Sequence, residues 1–109
     1  MNYPDLIKNL PQCNVPLEGV NGYLFQGRDH QIVFFEIPGG IKLPPHSHGA
    51  QWGIVIQGEM ALTIAGKTKR YKKGDSYYIK SGEEHQASFL TDFKALDFFE
   101  DVDRYGIRD

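Results

Sequence analysis

Cysteine is nearly missing from this chain: Cys13 is the only one in 109 residues. No intrachain disulfide can form, which suits a reducing compartment. Long apolar runs are missing too. None approaches the roughly 18 residues that a membrane-spanning helix needs. Positive charge is not in excess; the net charge of −2 argues against a nucleic-acid partner. The opening MNYPDLIKNLPQ has neither a basic n-region nor an apolar h-region, so a cytoplasmic location, away from membranes, is expected. There is no long amphipathic helix pattern, no linker, no low-complexity tract and no internal repeat. Nucleophile-elbow, P-loop and dinucleotide fingerprints are likewise missing.

What remains reads as one globular domain. Hydrophobic residues make up 40% and aromatics 13%, too much for a disordered chain. A chain of this length can bury roughly two-thirds of its unfolded surface without disulfide staples. Twelve Gly and six Pro imply many turns. Strands are expected at Tyr23–Gln26, His30–Ile37, Gln51–Gln57, Met60–Ile64, Thr68–Tyr71, Ser76–Ile79, Gln86–Leu90 and Phe93–Phe99, because β-branched and aromatic residues cluster there between Gly, Pro and Asp turns. Short strands at near-regular spacing predict an all-β sandwich or barrel over residues 23–99. Residues 1–22 form an N-terminal arm, with a short helix possible over 3–10 before Pro11, and residues 100–109 form a C-terminal tail.

The stretch GGIKLPPHSHGAQWGIVIQG carries the chemistry. Successive side chains on a strand face opposite ways, so His46 and His48 at i and i+2 share a face and can meet one ion. Gln51 offers an amide oxygen as a third donor. His85, before another expected strand, is the candidate fourth. Three imidazoles and an amide suit a single divalent transition metal, whether Zn, Mn, Fe, Ni, Co or Cu. With no carboxylate among the donors, such an ion would polarise a bound oxygen strongly.

These residues resemble the two motifs of the cupin superfamily. The first, G-x5-H-x-H-x(3–4)-E-x6-G, is met by Gly40, His46, His48, Gln51 and Gly58; Gln51 stands where Glu is usual, and only two residues separate it from His48. The second, G-x5-P-x-G-x2-H-x3-N, is met by Gly74, Gly82 and His85, with Lys80 in place of Pro and Phe89 in place of Asn. The resemblance implies a cupin double-stranded β-helix, a jelly-roll barrel of one domain, with His46, His48, Gln51 and His85 as the metal set. It also implies a homodimer whose N-terminal arm crosses to the partner sheet.

Asp97-Phe98-Phe99 adds a narrower likeness. It is similar to the small cupins of pectin and alginate breakdown, whose pocket carries an Asp, a Phe two residues later and an Arg soon after. Asp97 and Phe99 match; Arg104 follows one residue late. Those proteins convert unsaturated uronates to linear ketonised sugars. By that resemblance Asp97 is the catalytic acid–base, and Phe99 and Arg104 line the substrate pocket. Trp52 and Tyr78 are further pocket candidates. The expected function is action on a small polar substrate such as a sugar acid, by isomerisation or ring opening. A metal-dependent dioxygenase and a non-catalytic binding or sensor module are the alternatives, so enzymatic activity itself stays open. His30 is expected to be structural or at the surface, and the basic run 67–73 is expected at the surface. Glu83 and Glu84 are expected to be exposed, with a bond from one of them to a ligand histidine as the alternative.

Overall fold

The computed structural model describes residues 1–108; Asp109, the last residue of the expected tail, lies outside the described residues. After one short helix, α1 (Asp5–Lys8), nine strands follow: β1 (Asn21–Gln26), β2 (Gln31–Ile37), β3 (Lys42–His46), β4 (Gln51–Gln57), β5 (Glu59–Ile64), β6 (Lys67–Lys72), β7 (Ser76–Ile79), β8 (His85–Phe89) and β9 (Phe93–Phe99). They form two antiparallel sheets, ordered β1-β2-β9-β4-β7 and β3-β8-β5-β6. This is the all-β architecture that the turn rhythm predicts, in the jelly-roll form that the resemblance implies.

Alternation along each strand builds the interior. In β2, Gln31, Val33, Phe35 and Ile37 face in; in β9, Phe93, Ala95, Asp97 and Phe99 do. Met60, Leu62, Ala87 and Phe89 answer from the four-stranded sheet. The arm is less separate than the sequence implies. Cys13, Val15 and Val20 belong to the same core, and the first strand begins two residues before the expected boundary. Tyr3 is buried on the outer face of its own chain's sheet, where its hydroxyl donates to the carbonyls of Phe35 and Ala95 at 2.9 and 3.3 Å. The start of the arm therefore packs on the sheet of its own chain.

The tail also closes on the barrel. The buried amide of Gln31 holds Tyr105 from both sides, donating to its carbonyl at 2.8 Å and accepting from its N–H at 3.0 Å. Cys13 bridges to Ile107, and Arg108 donates to Gln12 and the carbonyl of Val20.

The strand β3 escapes the sequence pattern because KLPPH holds two prolines. It lies at the edge of its sheet, where missing N–H groups cost no ladder bond. Its pairing with β8 is interrupted between Leu43 and His46.

Candidate metal centre

His46 and His85 are cross-strand partners at the end of β3 and the start of β8. Their rings lie 4.2 Å apart between centroids. His48 is not on the same strand as His46; it sits in the following loop, two residues beyond the strand end. The loop, rather than strand alternation, turns its ring inward to 4.8 Å from His85 and 5.3 Å from His46. One ring nitrogen from each of the three lies within 4.8 Å of the others.

The loop that carries His48 is tied down by the tail. Asp101 accepts from the N–H of Gly49 and Glu100 from that of Ala50, both at 2.9 Å. A side chain at Gly49 would collide with both carboxylates.

Hydrogen bonding orients each imidazole. The Nδ1 atoms of His46, His48 and His85 contact the carbonyls of Pro44, Gly49 and Glu83 at 2.8, 2.8 and 2.9 Å. A carbonyl can only accept, so each Nδ1 carries a proton, and Nε2 is the ring nitrogen left for an ion. Glu83 thus serves His85 through its backbone; its carboxylate accepts instead from the N–H of Lys80. Burial pushes the pKa of His48 down to about 4, helped by Arg104 and the two other imidazoles and opposed by the bond to Gly49. Burial likewise lowers that of His85. Three imidazoles held through Nδ1 by backbone carbonyls, with one ring nitrogen from each within 4.8 Å of the others, are what a divalent transition metal requires, so the residues present fit the group.

Gln51 opens β4 opposite Phe99 and Ile79 and lines the same pocket. Its Nε2 donates to Asp97 Oδ1 at 2.8 Å. Its Oε1, the atom a metal would take, has no hydrogen-bond partner among the described residues.

Asp97 is 2% exposed, the most buried carboxylate of the site. Tyr77 donates to the same Oδ1 at 2.6 Å. Asp97 pairs with Gly53 on β4, and Gly53 pairs with Tyr77 on β7. Donor and acceptor thus sit on either side of β4, and the missing side chain at Gly53 is what lets them meet: a Cβ there would overlap the Asp97 carboxylate and the Tyr77 ring. Burial raises the Asp97 pKa to about 6, while the bonds from Tyr77 and Gln51 pull it down. Tyr77 is pushed well above its ordinary value by burial and by Asp97, so it stays a donor.

The pocket is a narrow cavity of about 70 Å³. Its walls are mostly apolar, with Val20, Leu43, Met60, Leu62 and Phe89 among them, and its polar groups are the three histidines, Gln51, Tyr77, Asp97, Arg104 and Tyr105. The Arg104 guanidinium lies 4.5 Å from the Tyr105 ring centroid. Its Nε is buried and has no partner among the described residues.

Of the residues picked from sequence, His46, His48, Gln51, His85, Asp97, Phe99 and Arg104 are brought together around this cavity. Trp52 and Tyr78 are not. They are 42% and 57% exposed and project from the opposite face of the sheet. The reason is parity: with Gln51 facing in, Trp52 must face out, and Tyr78 is its cross-strand partner. The tyrosine that enters the pocket is Tyr77, legible from its place in step with buried Ile79. Tyr105 also lines the pocket, and nothing in the tail's sequence pattern marks it. His30 is exposed as expected, stacked on Phe98 at 5.1 Å, and Lys67–Lys72 is a largely exposed edge strand.

Comparison with known proteins places this geometry. No curated protein sequence matches the chain. Among solved structures, KdgF from Halomonas sp. is similar, with a TM-score of 0.72 at 24% identity over 80% of this chain and 84% of that one. An RmlC-like cupin from Shewanella frigidimarina gives 0.75 at 19% identity, covering 91% and 87%. A single-site variant of the oxalate decarboxylase of Bacillus subtilis gives 0.74 at 21%, covering 84% of this chain and 28% of that one. Likeness at this identity shows the shared fold. Residues 33–99 match the model of the cupin domain, and the chain belongs to the cupin family.

Proposed function

We propose that this cupin uses a divalent metal at His46, His48, His85 and Gln51 to act on a small carboxylate-bearing substrate, such as a sugar acid, by isomerisation or ring opening. The observation that carries the reading is Asp97. A carboxylate with a pKa near 6, buried beside the three histidines, is poised to take and return a proton near neutral pH. Both of its donors bind Oδ1, so Oδ2 is the atom that exchanges the proton. Tyr77 and Gln51 hold the carboxylate in place while it does so. The metal, when bound, supplies Lewis acidity toward a substrate carbonyl or hydroxyl oxygen. Arg104 is the cation of the pocket, and its unpartnered Nε supports binding of the substrate's acid group. Phe99 and the apolar wall exclude water around the reacting carbon.

A second reading, a metal-dependent dioxygenase, is favoured by the mostly apolar wall, which suits O₂, and by likeness to a salicylate 1,2-dioxygenase at a TM-score of 0.70 and 19% identity. The two separate cleanly. Native protein is analysed for its metals, then incubated in D₂O with a panel of unsaturated uronates and 2-hydroxy and 2-keto acids while C–H exchange and O₂ are followed. Solvent deuterium entering a substrate carbon without O₂ uptake, and abolished in Asp97→Asn, supports the acid–base reading. Stoichiometric O₂ consumption overturns it in favour of the dioxygenase.

A further inference from the structure

The cavity is polar at one end and apolar at the other, and the strand register shows where it changes. His46, His48, Gln51 and Arg104 are partly exposed and mark its mouth. Inward-facing residues follow at every second position, one rung of about 7 Å at a time. On β8 the rungs are His85, Ala87 and Phe89; on β5, Leu62 pairs with Ala87 and Met60 with Phe89. On β9 they are Phe99, Asp97, Ala95 and Phe93. Asp97 and its donor Tyr77 are the deepest polar side chains of the lining. Beyond them the walls are Met60, Phe89, Phe93, Ile37, Ile41 and Val20, and none of these side chains offers a hydrogen bond. The backbone of Phe89 is engaged as well, its N–H donating to the carbonyl of Ile41 and its carbonyl accepting from the N–H of Gly40. Ala87 stands one rung beneath His85, opposite both Leu62 and Leu43. It is the smallest side chain of the lining, and the gap it leaves joins the histidine end to the apolar arm.

We infer that the substrate is a short aliphatic acid, a 2-keto or 2-hydroxy acid whose oxygens are confined to its carboxylate end and whose alkyl tail lies in the apolar arm. This rests on the proposed function and narrows its substrate. Two opposed effects decide between an alkyl tail and a hydroxylated one. A hydroxyl group carried below Asp97 gives up its water and finds no partner, a loss of about fivefold or more in affinity for each one. A methylene in the same place gains about fourfold. Size sets the length of the tail. The cavity of about 70 Å³, at roughly 10–15 Å³ for each water-sized group, takes on the order of five such groups, so a tail of a few carbons fills it. Among small acids this ranks the alkyl ones above the sugar acids.

Calorimetric titration of the intact chain, with zinc and without added metal, tests the tail. The probes are the straight-chain 2-keto acids from pyruvate to 2-oxohexanoate, with D-gluconate and D-galacturonate beside them. Affinity should rise about fourfold for each added methylene and exceed that for either sugar acid. Ala87→Val, which narrows the gap beneath His85, should flatten the rise. If that variant does not fold, the series on the parent decides alone. The rise should persist in Asp97→Asn, whose deuterium exchange tests the acid–base reading, so either can fail without the other. An affinity that does not grow with chain length overturns the inference, and so does tighter binding of a sugar acid. A parent that binds none of the acids overturns it as well. A rise of full size in Ala87→Val puts the tail elsewhere and overturns it too.

Discussion

Tyr77 donates to Asp97 at 2.6 Å across an intervening strand, through the gap left by Gly53. Three residues from three strands thus specify the setting of one buried carboxylate. The strand between them contributes only the absence of a side chain.

Filling that gap tests the arrangement. Gly53→Ala puts a methyl where the carboxylate and the phenol ring now sit, so one of them must move. Overpacking of this kind costs about 1–3 kcal/mol. Urea unfolding of parent and variant should show a loss in that range; an unchanged midpoint would refute the role given to Gly53.

Removing the donor gives a pH-dependent result. Tyr77→Phe takes a hydrogen bond from Asp97 that is strongest when the carboxylate is charged. Asp97 ionises above about pH 6 in the folded protein. The destabilisation should therefore be larger at pH 8, about 1.5–3 kcal/mol for a bond to a charged group, than at pH 4.5, where about 1 kcal/mol is expected. Equal losses at both values would mean that Tyr77 only fills space.

Without metal, two groups tilt stability in opposite directions. His48 has its folded pKa lowered to about 4, so the unfolded chain binds more protons and stability is lost as pH falls below about 6.5. Asp97 has its folded pKa raised from 3.8 to about 6, so the folded chain binds more protons and stability is gained as pH falls through the same window. The two offset each other, and His85, also lowered, adds to the histidine side. Asp97→Asn removes the compensation. Thermal melts between pH 6.5 and 4.5 should fall more steeply with acid in that variant than in the parent; a shallower fall contradicts the assignment.

Metal binding should release almost no protons from His48 or His85 at pH 7, since both are already neutral there. Calorimetric titration with zinc, repeated in phosphate and in Tris, should give heats that differ by less than one proton's ionisation enthalpy. His85→Ala should abolish the zinc-induced rise in melting temperature. A rise of full size in that variant would place the ion elsewhere.

Asp101 offers a test that leaves every candidate ligand in place. Its carboxylate holds the N–H of Gly49, whose carbonyl in turn fixes the His48 ring. Asp101→Ala should weaken zinc binding about 10–100-fold, as loss of groups that support a ligand does, with little change in the melting temperature of the metal-free protein. Unaltered affinity would show that the loop holds His48 without help from the tail.

Much of this is legible in the chain itself, residue by residue. The cupin spacing of Gly40, His46, His48, Gln51 and Gly58 points to the fold, and the bounds expected for Ser76–Ile79 and Phe93–Phe99 are those of the structure. Asp97 and Phe99 share the pocket because i and i+2 share a face. The same rule, applied to Gln51 and Trp52, turns Trp52 and Tyr78 outward; aromatic character suggests a pocket, and alternation overrides it. What stays illegible depends on contacts between distant segments. Prolines mask β3, because their tolerance there follows from its edge position in the finished sheet. The support of His48 by Glu100 and Asp101 joins residues 50 and 52 apart in sequence, and the clamp of Gln31 on Tyr105 joins residues 74 apart.

The three carbonyls that hold the Nδ1 protons of His46, His48 and His85 have a consequence for selectivity. Folding alone chooses the tautomer and aim of every ring, so an arriving ion meets one rigid tridentate chelator rather than three independent side chains. Such a frame sets bond directions in advance. It would discriminate between ions by the coordination geometry each prefers, and not merely by their general affinity for nitrogen.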